Sequence, residues 1–143
     1  MEKRYEFLDH TADAKFRAYG KNMEEAFANS AIALANIMIE TDKVEQKINK
    51  SIEIKGDDLK SLLVNFLGEF VYLLDAEGFV LGKIASLTIN KTTEGYRLAA
   101  VAKGDKYADK YEILGDVKAV TYAEMEIKEE QKGNCWVQVV VDI

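Results

Sequence analysis

Asp9, Asp13 and the chain's single histidine, His10, fall within five positions of the stretch FLDHTADAKFRAYG, between two short alternating segments. Aspartates in a connection of this kind bond the local backbone, so the commonest role for them is a well-made loop. A zinc-dependent hydrolase would need further imidazoles, and Cys135 with carboxylates is a poor substitute set for that metal. Carboxylates and carbonyls suit a hard cation such as calcium or magnesium. A second acidic group closes the chain. The apolar run WVQVVV should form a central strand, and it stops at Asp142 and the carboxylate of Ile143. Either these acids keep the strand end solvated, or they lie beside the first loop and form with Asp13 a cluster whose repulsion a cation relieves. Spacing alone leaves both open.

Other chemistries find less support. No Gly-x-Ser-x-Gly elbow, phosphate-binding glycine loop or dinucleotide fingerprint is present, and Cys135 beside Trp136 reads as a packed thiol. In VKAVTYAEMEI, Lys118, Thr121 and Tyr122 mark either an ordinary amphipathic strand, with Val117, Ala119 and Thr121 on one side, or a binding face. The charged, Tyr-bearing segment GDKYADKYEILGD reads as a long solvated connection.

The elements that must position these residues follow from periodicity. RYEFL and AKFRAYG alternate as two strands able to close a hairpin. Asn22 with Glu25 opens a helix over about 22 to 38, whose apolar positions Met23, Ala26, Phe27, Ala31, Leu34, Ala35 and Met38 recur at helical spacing. Val44, Ile48, Ile52 and Ile54 share one parity of a strand ended by Gly56. Asp57 or Asp58 then caps a second helix carrying Leu59, Leu62, Leu63, Phe66, Leu67, Phe70, Val71 and Leu74, which a DAEG turn should stop. FVLGKI, SLTIN, YRLAAVA, VKAVTY, MEIKEE and CWVQVVVDI read as strands. The expected class is α+β: two amphipathic helices packed on a largely antiparallel sheet, in one cooperative unit.

Composition agrees. The 143 residues are 48% hydrophobic and 31% charged, with no apolar run near the roughly 20 residues a membrane helix needs and no secretory leader. A single cysteine fits a reducing cytoplasm. Twenty-five acidic against 19 basic residues give a net charge of −6, which argues against an unaided grip on nucleic acid while leaving a local basic patch open.

Taken together, DHTAD followed by RAYG, the helices EEAFANSAIALANIM and LLVNFLGEFVYLLD, then VKAVTY and the closing VVVDI resemble the archease family, in order along essentially the whole chain. The resemblance implies an archease-like single domain over residues 1–143. It also implies a cytoplasmic accessory protein, not itself an enzyme, that activates the RNA ligase of tRNA splicing and RNA repair. That role promotes ligase guanylylation and repeated turnover and broadens the nucleotide triphosphates accepted, with nucleic acid met only through the ligase. Asp13, Asp142 and the terminal group of Ile143 match the positions that bind a divalent cation, calcium or a similar ion. His10 matches the motif histidine, which holds the loop and orients the carboxylates. Lys118, Thr121 and Tyr122 match the KAVTY signature, near the same site or its partner face. Two positions depart from the pattern: Ala123 and Tyr111 stand where the family usually has histidine. A stand-alone metal-dependent phosphohydrolase and a general chaperone-like binding module are the alternatives, and neither accounts for the full set of matched segments.

Overall fold

Alternation makes the first hairpin. In the computed structural model, which describes residues 3–9, 13–130 and 133–143, strands β1 (Tyr5–Leu8) and β2 (Ala14–Gly20) pair antiparallel, Tyr5 opposite Ala18 and Phe7 opposite Phe16. The period of two turns Phe16 and Ala18 into the core and leaves Lys15, Arg17 and Tyr19 on the outer face. Helix α1 (Met23–Met38) starts where expected. The Asn22 side chain accepts the Glu25 N–H at 2.8 Å, and the Glu25 carboxylate reaches back to the Lys21 N–H, also at 2.8 Å. Beyond α1 the chain curls through one 3-10 turn, Thr41–Lys43, because Asn36 holds both the N–H and the hydroxyl of Thr41. Val44, expected in the next strand, therefore lies ahead of it and packs with Ile39 and Val80, and β3 runs Ile48–Gly56.

Helix α2 (Leu59–Glu77) is capped by Asp58, whose carboxylate accepts the Ser61 N–H at 2.8 Å while the Ser61 hydroxyl accepts the Asp58 N–H at 3.1 Å. The DAEG segment is not a turn: Asp75, Ala76 and Glu77 complete the helix, and only Gly78, at φ 66°, leaves it. Two further expectations of paired short strands resolve into single long ones. FVLGKI and SLTIN form β4 (Phe79–Thr92), which absorbs extra residues at two register shifts against β5 (Gly95–Lys106). VKAVTY and MEIKEE form β6 (Ala119–Glu130), which leaves register between Thr121 and Glu126 against β7 (Asn134–Asp142).

All pairings are antiparallel, and the one expected sheet is two: β1-β2-β7-β6 and β3-β5-β4. The helices lie between them. Helix α1 packs on β2 and β7 of the larger sheet and β4 of the smaller, and α2 packs on β6 and on all three strands of the smaller. That placement explains why α1 is buried beyond one stripe, Ile32 and Ala33 included. One ring of α1 and two of α2 meet at the centre: Phe27 and Phe66 stack with centroids 6.3 Å apart, and Phe70 meets Phe66 edge-on at 5.2 Å. Among the described residues no helix is long and apolar enough to cross a membrane.

The segment after β5 is bonded down rather than loosely solvated. Asp105, 4% exposed, accepts from Lys110 Nζ at 2.6 Å, Tyr111 Oη at 2.8 Å and the Lys106 N–H at 2.8 Å. The Tyr111 hydroxyl in turn accepts the Glu45 N–H at 3.0 Å, and the Leu114 N–H reaches the Met38 carbonyl at 2.8 Å. Tyr111 is thus a structural tie. Hydrogen bonds from Lys110 and Tyr111 hold the Asp105 carboxyl down from its ordinary 3.8 to about 2.

Two outcomes follow. Phe66→Ala should lower unfolding stability by about 3–5 kcal/mol in urea titrations, as expected for a fully buried aromatic. Because the folded carboxyl of Asp105 titrates below the unfolded one, its network stabilises the fold above about pH 4, and that contribution is lost as pH falls towards 2. Melting curves of Asp105→Asn should show lower stability near neutral pH and a shallower decline across that acid window than wild type.

Candidate functional site

The outward residues of β2, β7 and β6 fall into cross-strand rows because the three strands lie side by side in register. Ala14 stands opposite Val141 and Ala119 opposite Asp142. Continuing the β2–β7 ladder by one residue past Ala14 would set Asp13 opposite Asp142, which puts the hairpin acid and the closing acid at the same end of the larger sheet. Asp13 is half-buried, and Asp142 and Ile143 are exposed. His10 lies outside the described residues.

The start of β6 arrives at the same end. The Lys118 N–H donates to the Asp142 carbonyl at 2.8 Å, and the Thr121 hydroxyl donates to the Val140 carbonyl at 2.8 Å. Tyr122 stands 56% exposed. Of the residues singled out by type and spacing, the fold therefore gathers Asp13, Asp142, Ile143, Lys118, Thr121 and Tyr122. Val117 does not share the Thr121 face: it precedes β6 and is buried in the core, whereas Ala119 is exposed.

A bulge sets this corner of the sheet. Between Thr121 and Glu126 the chain leaves the ladder, and Glu124 takes φ 50°, a left-handed conformation that costs a non-glycine residue roughly 1–2 kcal/mol. Contacts from β7 and β2 help hold it there. Gln138 Nε2 donates to the Glu124 carbonyl at 2.9 Å, and Lys15 Nζ meets Glu124 Oε1 at 3.0 Å. Gln138, 4% exposed, also accepts from Arg17 Nη2 at 2.7 Å. The bulge leaves Tyr122, Ala123 and Glu124 exposed beside the acid end. Sequence reasoning missed Lys15, Glu124 and Gln138. The available signals were the parity of Lys15 with Asp13 and the lone glutamine inside an otherwise apolar strand.

What this end can do chemically follows from its donors. Among the described residues no three His, Cys, Asp or Glu side chains converge on a point. The set is the Asp13 and Asp142 carboxylates, the Ile143 terminal group and backbone carbonyls, oxygen donors that fit a hard cation by type. Calcium takes roughly six to eight such ligands, so places would remain for water or a partner's oxygens. Nucleophilic chemistry is disfavoured. Cys135 is buried, and burial, with Glu129 and Glu24 adding to it, pushes its thiol up and away from the reactive thiolate.

Comparison with known proteins agrees with this architecture. The Archease protein family (MTH1598/TM1083) model matches residues 5–143. The chain is 43% identical to the archease of Pyrococcus abyssi, covering 99% of each chain. It is 44% identical to that of Pyrobaculum neutrophilum, covering 97% of this chain and 95% of the relative. The solution structure of Methanobacterium thermoautotrophicum protein 1598 superposes with a TM-score of 0.85 at 36% identity, covering 98% of this chain and 99% of that one. With the family model matched from β1 to the last residue and the same antiparallel sheets and paired helices in a solved relative, the chain belongs to the archease family.

Proposed function

We propose that this chain is a cytoplasmic accessory protein of the RNA ligase that joins tRNA halves in splicing and acts in RNA repair. In this role it promotes ligase guanylylation and repeated turnover, and is not itself the catalyst. Asp13, Asp142 and the terminal carboxylate of Ile143 would hold a divalent cation, calcium by preference. The observation that supports the reading most is the placement of Asp13 and Asp142 at the same sheet end in a chain of this family. When bound, such an ion supplies a compact positive charge that relieves repulsion among the carboxylates and accepts further oxygen ligands.

The chain's own residues then define a contact surface. Asp142 is fixed by the β6–β7 ladder, Thr121 ties β6 to β7, and exposed Lys118 and Tyr122 flank the acids. An accessory protein changes its partner only by binding one of the partner's states more tightly than another, so this surface must prefer the ligase conformation ready for nucleotide transfer. Nucleic acid is then met indirectly, through the ligase.

The test is a guanylylation assay with purified ligase. Asp13→Asn and Asp142→Asn should keep the wild-type circular dichroism spectrum, bind calcium more weakly and lose stimulation of nucleotide loading. Full stimulation by both variants would end the cation reading, and turnover of a phosphate ester by the chain alone would replace the accessory role.

A further inference from the structure

At the other end of the same outer face the chain forms a cleft of about 720 Å3, within the size range of small-ligand sites. It opens between the turn from β2 into α1 and the beginning of β7. Asp13 and Tyr19 are six residues apart in sequence, so it lies about 20 Å along β2 from the acid end. Its described walls carry four cations, Lys3, Arg4, Arg17 and Lys21, against two carboxylates, Glu25 and Glu130, with Glu6 behind them, 3.7 Å from Lys3 and accepting from the Tyr19 hydroxyl. That excess runs against a chain whose net charge is −6.

Both carboxylates are already engaged: Glu25 accepts the Lys21 N–H at 2.8 Å, and Glu130 accepts the indole N–H of Trp136 at 2.9 Å. The indole is therefore fixed twice, by Glu130 at its edge and by the Arg17 guanidinium 4.0 Å from its ring centroid. Arg17 is held in place by the fold: its Nη2 donates to Gln138, and its buried Nε has no acceptor among the described residues. An aromatic plane held rigid beside a guanidinium, with exposed cations around it, is the wall chemistry that stacks a flat ring and pairs an attached oxyanion. A simple anion would use the cations and leave the indole without a role.

We propose that this cleft binds a nucleoside phosphate, its base stacked against the Trp136–Arg17 pair and its phosphate held by Arg4, Lys21 and Lys3. The site is separate from the acid end and does not depend on the accessory role proposed above.

Trp136 is the chain's only tryptophan, so its fluorescence reports on the cleft alone. The titrants are AMP, adenosine, inorganic phosphate and the RNA pentanucleotide of adenylate, all with the full chain. AMP should change the emission saturably and bind at least about tenfold more tightly than adenosine or phosphate, because only it engages both walls. The exposed double variant Arg4→Ala/Lys21→Ala, its fold verified by circular dichroism, should weaken AMP binding by about tenfold or more. Asp142→Asn should bind AMP as wild type does. An absent or unsaturable response, equal affinity for phosphate and AMP, or undiminished binding in the double variant would overturn the proposal. Tighter binding of the pentanucleotide assigns the nucleoside phosphate to an RNA strand and tighter binding of AMP assigns it to the free pool, and either result supports the site.

Discussion

The functional geometry of this molecule hangs on one ladder, β2 against β7. β7 is apolar enough to be buried from Cys135 to Val141, apart from a half-exposed Trp136, and it sits between β2 and β6. Seven consecutive pairings with β2 lock its register. A slip of one residue would turn Val137, Val139 and Val141 to solvent, so burial of those side chains is also what fixes which acid faces which. The hairpin acid and the closing acid lie far apart in sequence, and no local interaction could bring them together. Hydrophobic burial on the inner face positions charge on the outer one.

Much of this was legible. Asn22 with Glu25 marked the start of α1, and the cap expected at Asp57 or Asp58 is Asp58, while the unbroken apolar spacing of α2 made its buried face unambiguous. The central place of β7 followed from its composition. What escaped was how irregular strands resolve. FVLGKI and SLTIN, and likewise VKAVTY and MEIKEE, read as separate short strands, yet in both places the partner strand runs on and the surplus residues are taken up as bulges. Nor could periodicity show that the strands divide between two sheets. Each helix looks amphipathic in sequence, and only packing reveals that α1 has apolar neighbours on two sides.

The segment from Tyr107 to Lys118 illustrates the same limit from the polar side. Its composition reads as solvated, and Ile113 and Leu114 are indeed exposed. Its order comes from a single buried acid whose three partners arrive from the following residues, plus a tyrosine that bridges to Glu45. Nothing in the spacing of Asp105, Lys110 and Tyr111 distinguishes such a network from surface charge. The burial of Asp105 does, because a desolvated carboxylate is tolerable only when its oxygens are bonded. This tie leads the chain back to Lys118, and so sets the entry of β6 into the acid end.

Charge on the outer face of the larger sheet is sorted by row. Asp13 and Asp142 occupy one end. Lys15 follows, neutralised by Glu124, then Arg17, bonded to Gln138 and stacked on Trp136 at the edge of the cationic cleft. At physiological ionic strength the screening length is about 8 Å, well short of the roughly 20 Å between the ends. Bare fields therefore do not link them, and each end is free to attract a ligand of its own sign preference despite the acidic total. Any communication has to pass through contact. A continuous polar path on this face runs from Lys15 to Glu124, from Glu124 to Gln138 and from Gln138 to Arg17. Glu124 is also the residue held at φ 50°, so the least relaxed backbone of β6 sits at the joint of that path, where a change at either end would be felt as a change in bulge geometry.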